Sequence, residues 1–182
     1  MKIFFLFCLS FCLISINSNA QTGNVERDSS QTSPEFKFIT LTGQQVSSQD
    51  LKGKIIIVDF WSSDCTPYRT SMPQMEKFYQ QYRNDQRVVV YLVNSGWETM
   101  EKAKRFTDTK RSSFLFFSWG TKYDLPFAYD QGSSTLKTFG LDSNPSTIII
   151  DAHFKIRVRH SGFIKDFYDF LNKHVEQYLT EK

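Results

Sequence analysis

The continuous apolar run at residues 55–61, IIIVDFW, restricts the fold more than any other stretch of the sequence. Most of its residues are β-branched, and polar residues do not alternate with them, a pattern typical of a strand covered on both faces in the middle of an α/β sheet. A second run of this kind, VVVYLV, occupies residues 88–93. Between the two runs, apolar residues recur at helical spacing over residues 72–82. We therefore predict a strand–helix–strand unit within an α/β fold.

The first 20 residues have the features of a secretory signal peptide. Lys2 provides a positive charge, residues 3–16 are apolar, and small and polar residues lead up to Ala20. This apolar stretch is short for a membrane span, which needs about 20 residues. We expect cleavage and export to the periplasm or the cell exterior. The alternatives are an uncleaved anchor or a lipid on Cys12, although Phe11 stands where a lipoprotein signal requires a small residue.

Signal cleavage would leave a single cysteine in the chain. Cys8 and Cys12 lie in the signal segment, so the mature protein would keep only Cys65. Such a thiol cannot form an internal disulfide in an oxidising compartment. It is either buried and inert, bonded to another molecule, or kept reactive.

Beyond the signal, the sequence divides into a leader and one folded domain. Residues 21–33 are polar and predict a flexible leader. Residues 34–182 are long enough to form one domain with its own hydrophobic core. The further predicted elements are a β-hairpin over 36–46, helices over 98–110, 133–139 and 164–179, strands within 114–117 and 125–129, and a hairpin of 147–151 with 155–160. We expect Gly140 to end a helix in a left-handed conformation and Pro73 to kink the helix after the first apolar strand.

Several short motifs of the domain occur together in one known family. They are FxF at 36–38, LxGQ at 41–44, LKGK at 51–54, a tryptophan at 61 ahead of the cysteine at 65, RxxMP at 69–73 and NPST at 144–147. Over residues 34–180 the chain resembles the thioredoxin fold and, within it, the TlpA/ResA-like thiol-disulfide oxidoreductases. The resemblance implies a three-layer α/β/α sandwich with a mixed central sheet and an N-terminal β-hairpin extension. It also implies a cis peptide bond before Pro145 and no cofactor.

The chain departs from this family at the reactive motif, because Cys65-Thr66-Pro67-Tyr68 stands where the family has Cys-x-x-Cys. In the family the first sulfur attacks and the second releases the mixed disulfide. A helix start favours the thiolate of the first sulfur and lowers its pKa. Tyr68 cannot perform the release. A protein client captured by Cys65 must therefore be freed by an external thiol reductant or remain bound. A dimer linked through Cys65 is a further possibility.

The resemblance also suggests which residues surround the sulfur. Asn144 and Pro145 would hold an extended client segment by strand-like backbone contacts. Trp61, Thr66, Pro67 and Tyr68 would complete the client-binding surface. Tyr68 either shields the sulfur or presents its hydroxyl to the client.

Two carboxylates near the cysteine each allow a functional and a structural interpretation. An acid at the place of Asp59 accepts a proton from the second thiol in thioredoxins. Here that thiol is missing, and Asp59 has the alternative of bonding to a nearby polar group such as the Tyr68 hydroxyl. Asp64 either raises the pKa of Cys65 by like-charge repulsion or is simply solvated.

Three functional hypotheses follow for this site. The first is thiol-disulfide exchange through Cys65, and the second is a redox-inactive module that binds a protein client. The third is a peroxiredoxin-like peroxidase, since Ser62 provides a hydroxyl three residues before Cys65; but Val58 stands where those proteins have proline. A partner surface that includes Trp97 is an alternative to core packing of the aromatic residues.

Charge and histidine spacing argue against two other classes of function. The formal net charge is only +3 and the basic residues are scattered, so nucleic acid is not an expected partner. The three histidines show no ligand spacing, so no metal site is expected.

Overall fold

The structure is a computed structural model that describes residues 25–26, 31–108 and 123–181. Its strands are β1 (Val25–Glu26), β2 (Lys37–Thr40), β3 (Gln45–Ser47), β4 (Ile55–Trp61), β5 (Val88–Asn94), β6 (Phe127–Tyr129), β7 (Ser146–Ile150) and β8 (Ile156–Ser161). Its α-helices are α1 (Thr66–Tyr82), α2 (Met100–Asp108), α3 (Ser134–Thr138) and α4 (Phe167–Thr180), with short 3-10 turns at Ser48–Leu51 and Gln131–Ser133.

The strands form one mixed sheet in the order β1-β8-β7-β4-β5-β6-β2-β3. Strands β4, β5 and β6 are parallel, whereas β7 runs antiparallel to β4, and β8 runs antiparallel to β7. The N-terminal hairpin β2–β3 extends the sheet by pairing with β6. All seven residues of β4 are buried, as expected for a strand covered on both faces.

Helices cover both faces of the sheet, which confirms the predicted α/β class and its three layers. On one face, α1, α2 and α4 pack over the odd-numbered residues of β4. On the other face, α3 and the hairpin aromatics pack over the even-numbered residues. This alternation follows from the two-residue period of side chains along a strand.

Several predicted elements have shifted boundaries. The strand predicted over 125–129 begins only at Phe127, and the one predicted over 114–117 lies outside the described residues. The α1 helix continues through Pro73 to Tyr82. Gly140 has a φ of 66°, which confirms the left-handed conformation expected after α3.

Part of the predicted flexible leader is attached to the sheet. Strand β1 pairs with β8, the backbone N–H of Ser33 donates to Phe154 at 2.8 Å, and the N–H of Ile156 donates to Gln31 at 2.9 Å. At these positions the backbone of a polar sequence completes the edge of β8, a contribution that side-chain hydropathy does not reveal. Among the described residues, no helix combines the length and the apolarity that a bilayer crossing requires.

Candidate active site around Cys65

The candidate site lies where β4, β5 and β6 end, β7 begins and β8 ends. The register places all these termini at one edge of the sheet, because Trp61 is opposite Asn94, and Ser146 is opposite both Phe60 and Ser161. The loops at this edge therefore follow the strand order. The loop after β8 comes first, then the loop before β7, then the loop after β4 with Cys65, and then the loop after β5.

Cys65 is the N-cap residue of α1 and is half-buried. Its side chain makes no capping hydrogen bond, its backbone N–H donates to Ser62 O at 3.1 Å, and its carbonyl accepts from the N–H of Arg69. Pro67, in the first turn of the helix, suits this position because its missing N–H would have no helical partner there. The sequence-predicted helix start at the thiol is confirmed.

The pKa of Cys65 is raised, against the expectation from the helix start. Burial raises it most, the backbone N–H of Tyr68 lowers it, and the carboxylate of Asp59 raises it again. Asp64, for which repulsion of the thiolate and simple solvation were the two alternatives, pairs with Lys102 at 2.5 Å on the exposed side of the loop. Burial and the interior acid thus outweigh the helix N–H groups.

Tyr68 and Trp61 form the buried floor of the site. Their side chains are 1% and 0% exposed and stack with ring centroids 5.7 Å apart. The indole Nε1 of Trp61 donates to Leu92 O at 3.0 Å. The Tyr68 hydroxyl is buried, which favours the shielding interpretation of this residue, and client contact by the two rings stays a prediction. Thr66 and Pro67 are exposed beside the sulfur and remain candidates for client contact.

Asp59 lies beneath the site in the interior of β4 and does not bond to Tyr68 as we had suggested. Its Oδ1 accepts a hydrogen bond from Thr147 Oγ1 at 2.8 Å. Its Oδ2 and the Tyr68 hydroxyl have no hydrogen-bond partner among the described residues. Burial raises the pKa of Asp59 to about 7, although the bond from Thr147 lowers it. The acid is therefore part neutral and part ionised near neutral pH.

Asp59 and Tyr68 line the same small cavity under the site. The cavity has a volume of about 10 Å³, and Pro145 and Thr147 also line it. That volume is close to what one water molecule requires. The interior acid, the tyrosine and the proline segment thus meet at one cavity.

The predicted cis peptide bond is present between Asn144 and Pro145. The loop that carries it is tied to both neighbours, because Ser95 Oγ donates to Asn144 Oδ1 at 2.6 Å and the N–H of Gly162 donates to Pro145 O at 2.8 Å. Asn144 Nδ2 is buried without a hydrogen-bond partner among the described residues. The Pro145 ring is also buried, whereas Asn144 is half-buried.

Sequence reasoning missed a group of charged side chains that hold the cysteine loop. Glu98, in the loop after β5, accepts a hydrogen bond from the backbone N–H of Ser63 at 2.8 Å. Arg69, on α1, donates from Nη2 to Ser63 O at 2.6 Å. Glu98 lies just after the carboxyl end of β5, which is parallel to β4. Loops at the carboxyl ends of neighbouring parallel strands lie close together, and this position in the sequence could have indicated that Glu98 reaches the loop after β4.

No group of three or more His, Cys, Asp or Glu residues in the described ranges is arranged to hold a metal ion.

The chain is similar to known thioredoxin-like proteins over most of its length. The sequence model of the AhpC/TSA family matches residues 30–159. Thioredoxin-like protein YneN of Bacillus subtilis is 31% identical over 133 residues, which cover 72% of this chain and 71% of YneN. Thiol-disulfide oxidoreductase ResA of Halalkalibacterium halodurans is 31% identical over 127 residues, which cover 70% of this chain and 65% of ResA.

Solved structures agree on the fold. A Chlorobium tepidum protein assigned as the thiol:disulfide interchange protein DsbE is 25% identical with a TM-score of 0.69, covering 85% of this chain and 99% of that one. The thioredoxin domain of a thiol-disulfide oxidoreductase from Bacteroides vulgatus is 24% identical with a TM-score of 0.62, covering 82% of this chain and 99% of that one. The architecture is therefore thioredoxin-like.

Proposed function

Because the chain belongs to the AhpC/TSA family of thioredoxin-like proteins, we propose that it carries out thiol-disulfide exchange with protein clients through Cys65 alone. The Cys65 thiolate attacks a client disulfide, so that one bond forms between Cys65 and a client sulfur while the other client sulfur leaves as a thiolate. A second, external thiolate then attacks the mixed disulfide, takes the client sulfur into a new disulfide and restores the Cys65 thiolate. Each step exchanges one disulfide for another, so electrons balance without a cofactor.

The observation that carries this proposal is the position of the sulfur. Cys65 is half-buried at the first turn of α1, and the loop with cis-Pro145 lies beside it along the sheet edge. An extended client segment at this edge could contact the backbone of Asn144 and reach the sulfur at once. Tyr68 fills the place of a resolving cysteine and is buried, so the release step falls to an outside thiol.

Two exposed aromatic side chains support a protein client over a small thiol. Trp97 is 53% exposed and Phe163 is 43% exposed, and they are the large apolar side chains that the described residues leave exposed. Trp97 lies in the loop after β5 and Phe163 in the loop after β8. They therefore stand on opposite sides of Cys65 and Pro145 along the edge, where they could contact apolar residues on either side of a client cysteine.

The proposal is tested by incubating residues 21–182 with glutathione disulfide over a range of pH and measuring the intact mass. We expect one glutathione adduct on Cys65 and none on a Cys65→Ser variant. Because the pKa of Cys65 is raised, the initial rate should increase by about tenfold per pH unit through neutral pH, in step with the thiolate population. Added thiol should remove the adduct. An intact protein that alkylates with iodoacetamide yet gains no adduct at alkaline pH contradicts the proposal.

The raised pKa of Cys65 favours a second candidate, a binding module without redox turnover. In that case a Cys65→Ser variant should bind its client as well as the wild-type chain does. Under the exchange mechanism, a Cys65→Ser variant should lose the covalent complex on non-reducing gels. A covalent band of twice the mass of the chain would indicate instead a dimer through Cys65.

Export belongs to the same proposal. We infer that residues 1–20 direct the chain out of the cytoplasm and are removed, so that Cys65 works in an oxidising compartment. Mass analysis of the protein recovered from the periplasm of an expressing bacterium should show a chain that begins at Gln21. A chain that retains Met1 would contradict cleavage.

A further inference from the structure

Glu98 concentrates several hydrogen bonds on the loop that precedes the reactive cysteine. Its side chain is only 6% exposed. The carboxylate accepts from the backbone N–H of Ser63 at 2.8 Å, from the Ser63 hydroxyl, and from Asn94 Nδ2 at 2.5 Å. Lys102 Nζ lies 3.3 Å from the same carboxylate. Burial opposes its ionisation, but these bonds outweigh burial and lower the pKa of Glu98. The carboxylate is therefore charged and fully bonded at neutral pH.

Ser63 is also held from the opposite side. Arg69 donates to Ser63 O from Nε at 3.2 Å and from Nη2 at 2.6 Å, and its guanidinium lies over the Phe106 ring, 5.0 Å from the centroid. Every polar group of this buried serine is thus bonded to a charged side chain from another element. Ser63 stands two residues before Cys65, so its position limits where the sulfur can lie.

Lys102 extends the same contacts to the next residue of the loop. Its Nζ bridges Glu98 and Asp64, at 3.3 Å and 2.5 Å. The backbone of Glu98 is fixed as well, because the Tyr129 hydroxyl donates to Glu98 O at 2.7 Å. The anchor for the cysteine loop is therefore itself tied to α2 and β6.

We propose that Glu98 is a positioning residue for the Cys65 thiol: by holding Ser63 it keeps the sulfur at the N-terminus of α1. This inference deepens the proposed function and rests on it for its biological consequence. Without the carboxylate, Ser63 loses two hydrogen bonds and the loop gains freedom at the residue pair that leads into the cysteine. The sulfur then spends less time beside the helix N–H groups that favour its thiolate.

The test compares Glu98→Ala with Glu98→Gln by following the rate of Cys65 alkylation by iodoacetamide from pH 6 to pH 10. We expect Glu98→Ala to react about tenfold more slowly at pH 8, with the midpoint of its profile moved to higher pH, a loss of the size expected for a hydrogen bond to a charged group. Glu98→Gln retains an acceptor oxygen for the Ser63 N–H and should stay within about twofold of wild type.

The matched control is Asp151→Ala, which removes a buried carboxylate and its 2.9 Å ion pair with Arg157 at the opposite edge of the sheet. It should lower the denaturant midpoint of unfolding and leave the alkylation profile unchanged. The inference is wrong if Asp151→Ala shifts the pH profile of alkylation as much as Glu98→Ala does. It is also wrong if folded Glu98→Ala has the same alkylation profile as wild type.

A Ser63→Ala variant provides a second test of the inference if Glu98→Ala does not fold. It removes only the hydroxyl bond and should give a smaller slowing, and the two substitutions together should slow alkylation by less than the product of their separate factors. Independent, multiplicative effects would overturn the inference. Alkylation of Cys65 needs no client, so the comparison of variants tests the role of Glu98 independently of the proposed function. A wild-type chain that is alkylated but forms no mixed disulfide would contradict the proposed function alone.

Discussion

A Tyr68→Cys variant is expected to release a mixed disulfide on Cys65 without any added thiol. The new thiol would stand three residues after Cys65 in the first turn of α1, on the same side of the helix. Its thiolate would attack Cys65 Sγ, form an internal disulfide and expel the client sulfur as a thiolate. An intramolecular attack has a high effective concentration, so loss of the adduct should be at least ~100-fold faster than in the wild-type chain without reductant.

The substitution also has a structural cost that can be measured separately. The Tyr68 ring is 1% exposed and stacks on Trp61, so its removal opens a cavity in the core. Loss of a buried aromatic ring costs about 3 kcal/mol or more. We therefore expect the reduced variant to unfold at a lower denaturant concentration than wild type. The oxidised variant should recover part of that loss because the disulfide restricts the unfolded chain.

Tyr68→Ser is the matched control, since it opens nearly the same cavity but offers no thiol. Each protein is loaded with a glutathione adduct on Cys65, excess reagent is removed, and intact mass is followed over time. The adduct should persist in wild type and in Tyr68→Ser and disappear only in Tyr68→Cys. A stable adduct in Tyr68→Cys would show that the buried position keeps the second sulfur away from the first.

Sequence patterns predicted the scaffold well because its determinants are local. The apolar run of β4 gives a doubly covered strand through its own composition, and the residues at 144–147 matched a family motif closely enough to predict the cis bond before Pro145. Cys65 stands at a strand–helix junction that turn and helix signals specify. These features depend on a few neighbouring residues, which a single sequence displays.

The surroundings of the thiol depend on contacts between distant segments, and there the predictions were incomplete. Asp64 is adjacent to Cys65 in sequence, yet its carboxylate forms an ion pair with Lys102. After burial of the thiol itself, the carboxylate that raises the pKa of the thiol is the buried one of Asp59, six residues before Cys65. Thr147, 88 positions away from Asp59, donates the hydrogen bond for which the Tyr68 hydroxyl was one suggested partner. Sequence distance is a poor guide to such interactions because the sheet register, and not the chain order, decides which side chains meet.

Burial was the other property that local patterns could not supply. Trp61 and Tyr68 flank the reactive residue in sequence, which favours a role in client contact. In the structure Trp61 packs against Phe106 of α2 and Phe127 of β6, and Tyr68 stacks on Trp61. Among the described residues the exposed large aromatics are Trp97 and Phe163. Which rings lie at the surface follows from how helices cover the sheet, so it requires the assembled layers.

Asp59→Asn is expected to stabilise the protein at alkaline pH and to leave it nearly unchanged at pH 4. Burial holds the pKa of Asp59 near 7, above its usual 3.8, so the folded state binds more protons than the unfolded state between these values. The contribution of Asp59 to the free energy of unfolding must therefore fall as pH rises from about 4 to about 7, by up to ~4 kcal/mol in total, and then level off. An amide keeps an acceptor for Thr147 and avoids the buried charge.

The measurement is the free energy of unfolding by urea at pH 4, 6 and 8 for wild type and Asp59→Asn. The difference between the two isolates Asp59 from other titrating groups, and a difference independent of pH would contradict the prediction. Asp130→Asn is the matched control, because this buried carboxylate accepts from the N–H groups of Thr135 and Leu136 and an amide would confront one of them with a donor. The Asp130→Asn substitution should destabilise the protein at pH 8.

Removing the Asp59 charge should also lower the pKa of Cys65. An alkylation profile that moves to lower pH in Asp59→Asn would link the interior acid directly to the reactivity of the thiol.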